Sequence, residues 1–169
     1  MAAEDEGVRL PILSVLGPGA ASHELEDLAE RVGGLAATRG WVVLTGGGPG
    51  VMAAACRGAV HAGGITVGVL PVAAPRAGYP NSWVRIALLT GAGSARNVFN
   101  VLSGDLCLAL GGGPGTLSEI AHALKAGREL WCYHSWGLTP PQERTMLAPR
   151  TFDDEDDLLG ALAQRLGRR

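Results

Sequence analysis

Apolar and polar positions along this chain follow two alternating rhythms. Short, nearly unbroken apolar runs read as buried strands: LPILSVL from Leu10, WVVLT from Trp41, ITVGVLP from Ile65, VRIALLT from Val84, LCLAL from Leu106 and ELWCYHS from Glu129. Between them the apolar positions recur at steps of three and four. Leu25, Leu28, Ala29, Val32 and Leu35 mark a helix between Ser22 and Gly40, with Ser22 as N-cap and Gly40 as the C′ glycine. VMAAACRGAVHAGG from Val51, SARNVFNVLSGD from Ser94 and TLSEIAHALKAGR from Thr116 read as further helices. TMLAPRTF from Thr145 reads as a short last strand. DDEDDLLGALAQRLGRR from Asp153 reads as a final helix, acidic at its start and basic at its end as the helix dipole favours. VAAPRAGYPNSW, with two prolines and no period, is a loop. Its segment from Ala73 to Ser82 leaves the third strand where a lid would.

Strands alternating with helices predict a parallel sheet covered on both faces, a Rossmann-like doubly wound α/β fold of six or seven strands. No composition break divides residues 1–169, so one domain is expected, with residues 1–9 flexible. The default strand order 3-2-1-4-5-6 makes the turns after strands 1, 2, 4 and 5 neighbours lining one groove.

Glycine marks those turns. GGGPG occurs twice, at Gly46–Gly50 and Gly111–Gly115, each time between an apolar run and a helix. Helix starts present free N–H groups to anions, and glycine lets a ligand approach the backbone. The candidate ligand positions are therefore Gly17, Gly19 and Ser22; Gly46, Gly47 and Gly48; Gly93 and Ser94; and Gly112, Gly113, Gly115 and Thr116. No Lys-Ser or Lys-Thr follows either GGGPG, which excludes a Walker A loop. Thr45-Gly46 stands where a dinucleotide fold carries its acidic ribose reader, which disfavours NAD. Thr116 and Glu119 match a capping box, so Glu119 reads either as a cap or as a group near the ligand. Arg96 opposes a helix dipole, so it reads either as a ligand contact or as half of a surface ion pair.

Composition narrows the classes. Charged residues are 18% and apolar residues 47% of the chain, a balance that favours a homo-oligomer, dimer or tetramer. A net charge of −2 provides no field for nucleic acid, and no apolar run spans a membrane. Cys56, Cys107 and Cys132 are isolated in apolar patterns, as expected of reduced core thiols in a cytoplasmic protein. His122 reads as packing or solvent, His61 as a dipole partner, and His23 as a remote ligand candidate; His134 has no assignment. No metal site emerges. Trp83, Trp131 and Trp136 read as core or interface.

Taken together, the motifs resemble the LOG superfamily, once labelled lysine decarboxylase-like. LGGGPGTLSEIAHALKAG is similar to its Pro-Gly-Gly-x-Gly-Thr-x-x-Glu signature, and TGGGPGVMAAACRGAVHAGG to its glycine turn with a small-residue helix. GAGSARNVFNVLSGD is similar to its arginine segment. For the hydrolase branch the resemblance implies N-glycosidic cleavage of a nucleoside 5′-monophosphate. Arg96 and Glu119 would be catalytic and the turn from Gly112 to Thr116 would hold phosphate. Two positions depart from that branch: Gly111 replaces the leading proline, and Asn97 follows Arg96 where a lysine is expected. Both look more like the branch of molybdenum cofactor carrier proteins. That branch implies binding of a phosphorylated pterin, with the molybdenum cofactor as cargo and Arg96, Asn97 and Glu119 in ligand contacts. Lysine decarboxylation is excluded by chemistry: the only lysine, Lys125, lies mid-helix with no sign of a Schiff-base site.

Overall fold

The computed structural model describes residues 9–138 and 148–167. Seven parallel strands form one sheet in the order β4-β3-β2-β1-β5-β6-β7. They are β1 Ile12–Leu16, β2 Val42–Thr45, β3 Thr66–Leu70, β4 Ile86–Leu89, β5 Leu106–Leu110, β6 Leu130–Tyr133 and β7 Arg150–Phe152. The helices are α1 His23–Thr38, α2 Val51–His61, α3 Asn97–Ser103, α4 Pro114–Lys125 and α5 Glu155–Leu166. The doubly wound α/β fold expected from the apolar rhythm is therefore present. The flexibility expected of residues 1–8 and the beginning of TMLAPRTF lie outside the described residues.

One core packs α1, α2 and α5 over one face of the sheet, around Leu13, Val15, Val43, Leu106 and Leu108. The second core lies under α3 and α4, around Leu16, Val101, Cys107, Ile120 and Cys132. Local signals behave as physics requires. Ser22 Oγ accepts from the Leu25 amide at 3.3 Å, and Gly40 takes φ 75° behind the last turn of α1. Asp154 caps α5 by accepting from the Asp157 amide.

Strand order corrects one expectation. β4 pairs with β3 at the sheet edge and not with β1. The turn after β4 is thus remote from the switch point between β1 and β5. The chain then recrosses through a 3-10 turn, Gly93–Arg96, and α3 comes to lie against β1 and α4. This long return brings Arg96 back to the ligand edge, while Gly93 and Ser94 stay exposed.

Candidate functional site

Carboxyl ends of β1, β2 and β5 open onto one cleft of about 280 Å³. Gly17, Pro18 and Gly19 line it after β1, Gly46 after β2, and Gly113 to Thr116 at the start of α4. Met52, Arg96, Asn97 and Glu119 complete the wall. Of the positions expected from sequence, Gly17, Gly19, Gly46, Arg96, Asn97, Gly113, Gly115, Thr116 and Glu119 therefore converge. Ser22, Gly47, Gly48, Gly93, Ser94 and Gly112 do not line the cleft. Ser22 is committed to its cap, and His23 is exposed on α1, 3.7 Å from Asp27.

The two GGGPG turns do different work. At the first, the opening amide of α2, Val51 N–H, donates to the Pro18 carbonyl at 3.2 Å. Gly50 has φ 64° and lies so close to Pro18 and Gly19 that a Cβ would overlap their backbone. Tyr79 Oη donates to the Gly46 carbonyl at 2.7 Å, and Asn81 Nδ2 to the Gly48 carbonyl at 2.8 Å. The loop read as a lid is thus fastened to this turn. The first turn is a wall whose Gly46 and Gly48 carbonyls and opening Val51 amide are already engaged.

At the second turn, α4 starts with Pro114 at its first helical position, and the first intrahelical bond is Leu117 N–H to the Gly113 carbonyl. The amides of Gly115 and Thr116 precede it, so the helix offers them no partner, and both residues line the cleft. This is the geometry that receives an anion. Trp136 roofs the turn from behind, its Nε1 donating to the Gly113 carbonyl at 3.2 Å.

The capping-box expectation fails here. With Gly113 as N-cap, Thr116 lies inside the first turn and Glu119 in the second, and no side chain caps the helix. Glu119 is instead buried, 6% exposed, and accepts from Asn100 Nδ2 at 2.7 Å. Arg96 Nη1 stands 3.7 Å from Glu119 Oε1, too far for a hydrogen bond but close enough for attraction. Burial pushes the Glu119 carboxyl above the usual carboxylate range, against the opposing pulls of Asn100 and Arg96.

That direction has a measurable consequence. A carboxyl raised on folding binds more protons folded than unfolded, so stability falls as pH rises through the window above the unfolded value. Glu119→Gln, which removes the charge and keeps the acceptor for Asn100, is expected to raise Tm at pH 8 by a few degrees. The gain shrinks as pH falls and vanishes below about pH 4, where the unfolded carboxyl is also protonated. Thermal unfolding across that range checks it; an unchanged or lowered Tm at pH 8 rejects it.

Arg96 reaches the cleft because Gly46 has no side chain: a Cβ there would fall 2.1 Å from Nη1. Asn97 Nδ2 lies 3.5 Å from Ser118 Oγ, joining α3 to α4 beside the site. Sequence reading missed Asn100, Met52 and the roof supplied by Trp136. Asn97, Asn100 and Val101 share the buried face of α3. Two amides on an inward helical face were the available signal for Asn100.

The other candidates resolve simply. All three cysteines are buried and free, and burial raises Cys56 to about 11, Cys107 to about 12 and Cys132 to about 11, which leaves them inert thiols. His61 faces Glu30 at 3.4 Å and meets the Trp83 ring edge-on. His122 is half-buried. His134 stacks on Tyr133 and places Nε2 3.0 Å from the Asp153 carbonyl. Among the described residues, no helix is long and apolar enough to cross a membrane.

Known proteins are similar to this chain in sequence and fold. An uncharacterised protein of Archaeoglobus fulgidus is 41% identical over 123 residues, covering 73% of this chain and 80% of its own. The molybdenum cofactor binding protein of Rippkaea orientalis is 38% identical with TM-score 0.71, over 94% of this chain and 87% of that one. The Moco carrier protein of Chlamydomonas reinhardtii is 35% identical with TM-score 0.77, over 95% and 100%. Residues 10–159 match the SLOG cluster4 family, a span that contains both glycine turns, Arg96 and Glu119. On that match over nearly its whole length, the chain belongs to the SLOG cluster4 family, within the LOG-like superfamily.

Proposed function

We propose that the cleft takes a phosphorylated pterin-type ligand, with the molybdenum cofactor as cargo, and holds it without breaking a bond. The observation that carries this reading is the pairing of Arg96 with the start of α4 in one cleft. The helix start supplies amides for phosphate oxygens, and a guanidinium adds a charged fork for the same group or its neighbour. Glu119, with its carboxyl raised by burial, is suited to donate to a ring nitrogen or carbonyl of a heterocycle. Likeness to two structures described as molybdenum cofactor binding or carrier proteins supports the choice of cargo. Three buried free thiols fit a reducing cytoplasm.

Binding is tested by titrating the protein with the molybdenum cofactor and with nucleoside 5′-monophosphates, read by tryptophan emission because Trp136 lies against the second glycine turn. Saturable binding of the cofactor is expected, weakened by added phosphate. No binding of any phosphorylated ligand rejects the reading.

A second reading rests on Glu119 itself. A shielded carboxyl beside an arginine is also what N-glycosidic cleavage of a nucleoside 5′-monophosphate requires, since it can stabilise an oxocarbenium-like centre. Base release from AMP, lost in Glu119→Gln, would establish that hydrolase and displace the carrier reading.

A further inference from the structure

Asn100 lies on the inward face of α3, 0% exposed, and only half of its carboxamide is matched. Nδ2 donates to Glu119 Oε1 at 2.7 Å, while Oδ1 is buried with no hydrogen-bond partner among the described residues. A buried acceptor left alone is costly, so Oδ1 calls for a donor close at hand. The elements packed around Glu119 bring few titratable or charged groups. The 3-10 turn brings Arg96, β5 brings Cys107 and β6 brings Cys132, while α3 and β1 bring none. On α4 itself His122 follows, half-buried, three residues on. Arg96 lines the cleft and stands 3.7 Å from Glu119 Oε1. The Cys107 thiol is directed to the Val101 carbonyl at 3.6 Å. What remains beside Oδ1 is the carboxyl that its own Nδ2 already holds.

An ionised carboxyl only accepts, so it answers Nδ2 and leaves Oδ1 orphaned. A neutral carboxyl accepts at one oxygen and donates from the other, which is the complement of a carboxamide. We infer that Asn100 is a positioning residue that holds Glu119 as a neutral acid, its proton resting toward Asn100 Oδ1 until a hydrogen-bond acceptor on the ligand draws it into the cleft. No proton is transferred; one hydrogen bond is exchanged for another. Burial works the same way, raising the Glu119 carboxyl above the ordinary range against the pulls of Asn100 and Arg96. A carboxyl kept neutral by its surroundings so that it can donate is an established device for gripping an oxygen or nitrogen acceptor. This inference rests on reading the cleft as the holder of a phosphorylated heterocycle, and it names what selects the heterocycle. The start of α4 and Arg96 take the phosphate, and Glu119 takes a ring carbonyl or unprotonated ring nitrogen. A ring that offers only donors finds no match there.

Carboxyl carbon NMR of glutamate-labelled protein tests the first half without any ligand. Wild type is expected to show one glutamate that titrates above the others. That resonance should vanish in Glu119→Gln and titrate higher still in Asn100→Leu, which removes a pull toward the charged form. Titration with the molybdenum cofactor and with inorganic phosphate tests the second half. Asn100→Leu is expected to weaken the cofactor at least roughly tenfold more than it weakens phosphate, because only the heterocycle needs the held carboxyl. As pH rises through the Glu119 titration, cofactor affinity of wild type should fall relative to that of Glu119→Gln, which has no proton to lose. Glutamates that all titrate in the ordinary range overturn the inference, as does an Asn100→Leu protein that weakens both ligands alike. If Asn100→Leu does not fold, the titration of wild type against Glu119→Gln decides. Failure of the carrier reading looks different: wild type then binds neither ligand, which rejects the ligand step, while the glutamate resonance alone decides whether Asn100 holds a neutral acid.

Discussion

Gly46→Ala is expected to lose ligand affinity nearly as fully as Arg96→Ala while unfolding at almost the wild-type temperature. The added Cβ falls 2.1 Å from Arg96 Nη1 and 2.5 Å from Nη2, so the two cannot coexist. What yields is the far end of a long flexible side chain, which moves at little cost to the fold. It cannot move without leaving the cleft that Arg96 lines with Gly113, Gly115 and Thr116. A charge-assisted bond to phosphate contributes about 1.5–3 kcal/mol, so both variants should bind roughly 10- to 100-fold more weakly. Isothermal titration of the three proteins with the same phosphorylated ligand checks this. If Gly46→Ala binds like wild type while Arg96→Ala fails, the guanidinium reaches the ligand by another route and the stated role of Gly46 is wrong. If both bind like wild type, Arg96 makes no ligand contact.

This dependence explains why the two GGGPG turns resemble each other in sequence and differ in duty. Each glycine is demanded by a different neighbour. Gly50 is demanded by the backbone of Pro18 and Gly19, Gly46 by Arg96, and Gly112 by the Trp136 indole, 2.6 Å from where a Cβ would stand. The second turn sets the unpaired amides of Gly115 and Thr116 in the cleft beside Arg96. Sequence alone marks both turns as places where side chains are excluded, and it does not say by what.

The strands were legible because parallel strands buried on both faces read as unbroken apolar runs, and the helices because their caps and spacing are local. Strand order was not. Whether the chain leaves β3 toward β1 or toward the edge is decided by how the loop from Pro71 and the return through Gly93–Arg96 pack, and both choices present the same local pattern. Arg96 was nevertheless recognised from the resemblance of its segment, and the long return delivers it to the cleft. Glu119 was recognised in the same way, but its surroundings were misread. The helix begins two residues earlier than Thr116 because proline is favourable at the first helical position, and that offset turns a cap into a buried carboxyl. Asn100, its hydrogen-bond donor, comes from a different helix and left only the faint trace of a polar residue on an apolar face.

The largest change in stability is expected at the crossing of α1 and α2, where Gly58→Ala should lower Tm by roughly 2–12 °C. Inside a helix this substitution ordinarily stabilises by about 1 kcal/mol, because glycine gives up more backbone freedom than alanine. Here the added Cβ would stand 1.9 Å from the Glu30 carbonyl oxygen, and one at Gly33 would stand 1.9 Å from that of Ala55. Both obstacles are backbone, which cannot turn aside as a side chain can. The small residues of VMAAACRGAVH therefore serve a close contact between two helices of one chain, with Ala55 and Ala59 in the same core. Separating the helices enough for a methyl group opens that core along its length, and overpacking of this kind costs about 1–3 kcal/mol beyond the propensity gained. Gly160 in α5 is the matched control, exposed and with nothing within 4 Å of where an added methyl group would stand. Gly160→Ala should gain about 0.5–1 kcal/mol. Opposite signs for the same substitution in two helices, read by thermal unfolding, are the expected result. A Gly58→Ala protein more stable than wild type would show that α1 and α2 do not approach this closely.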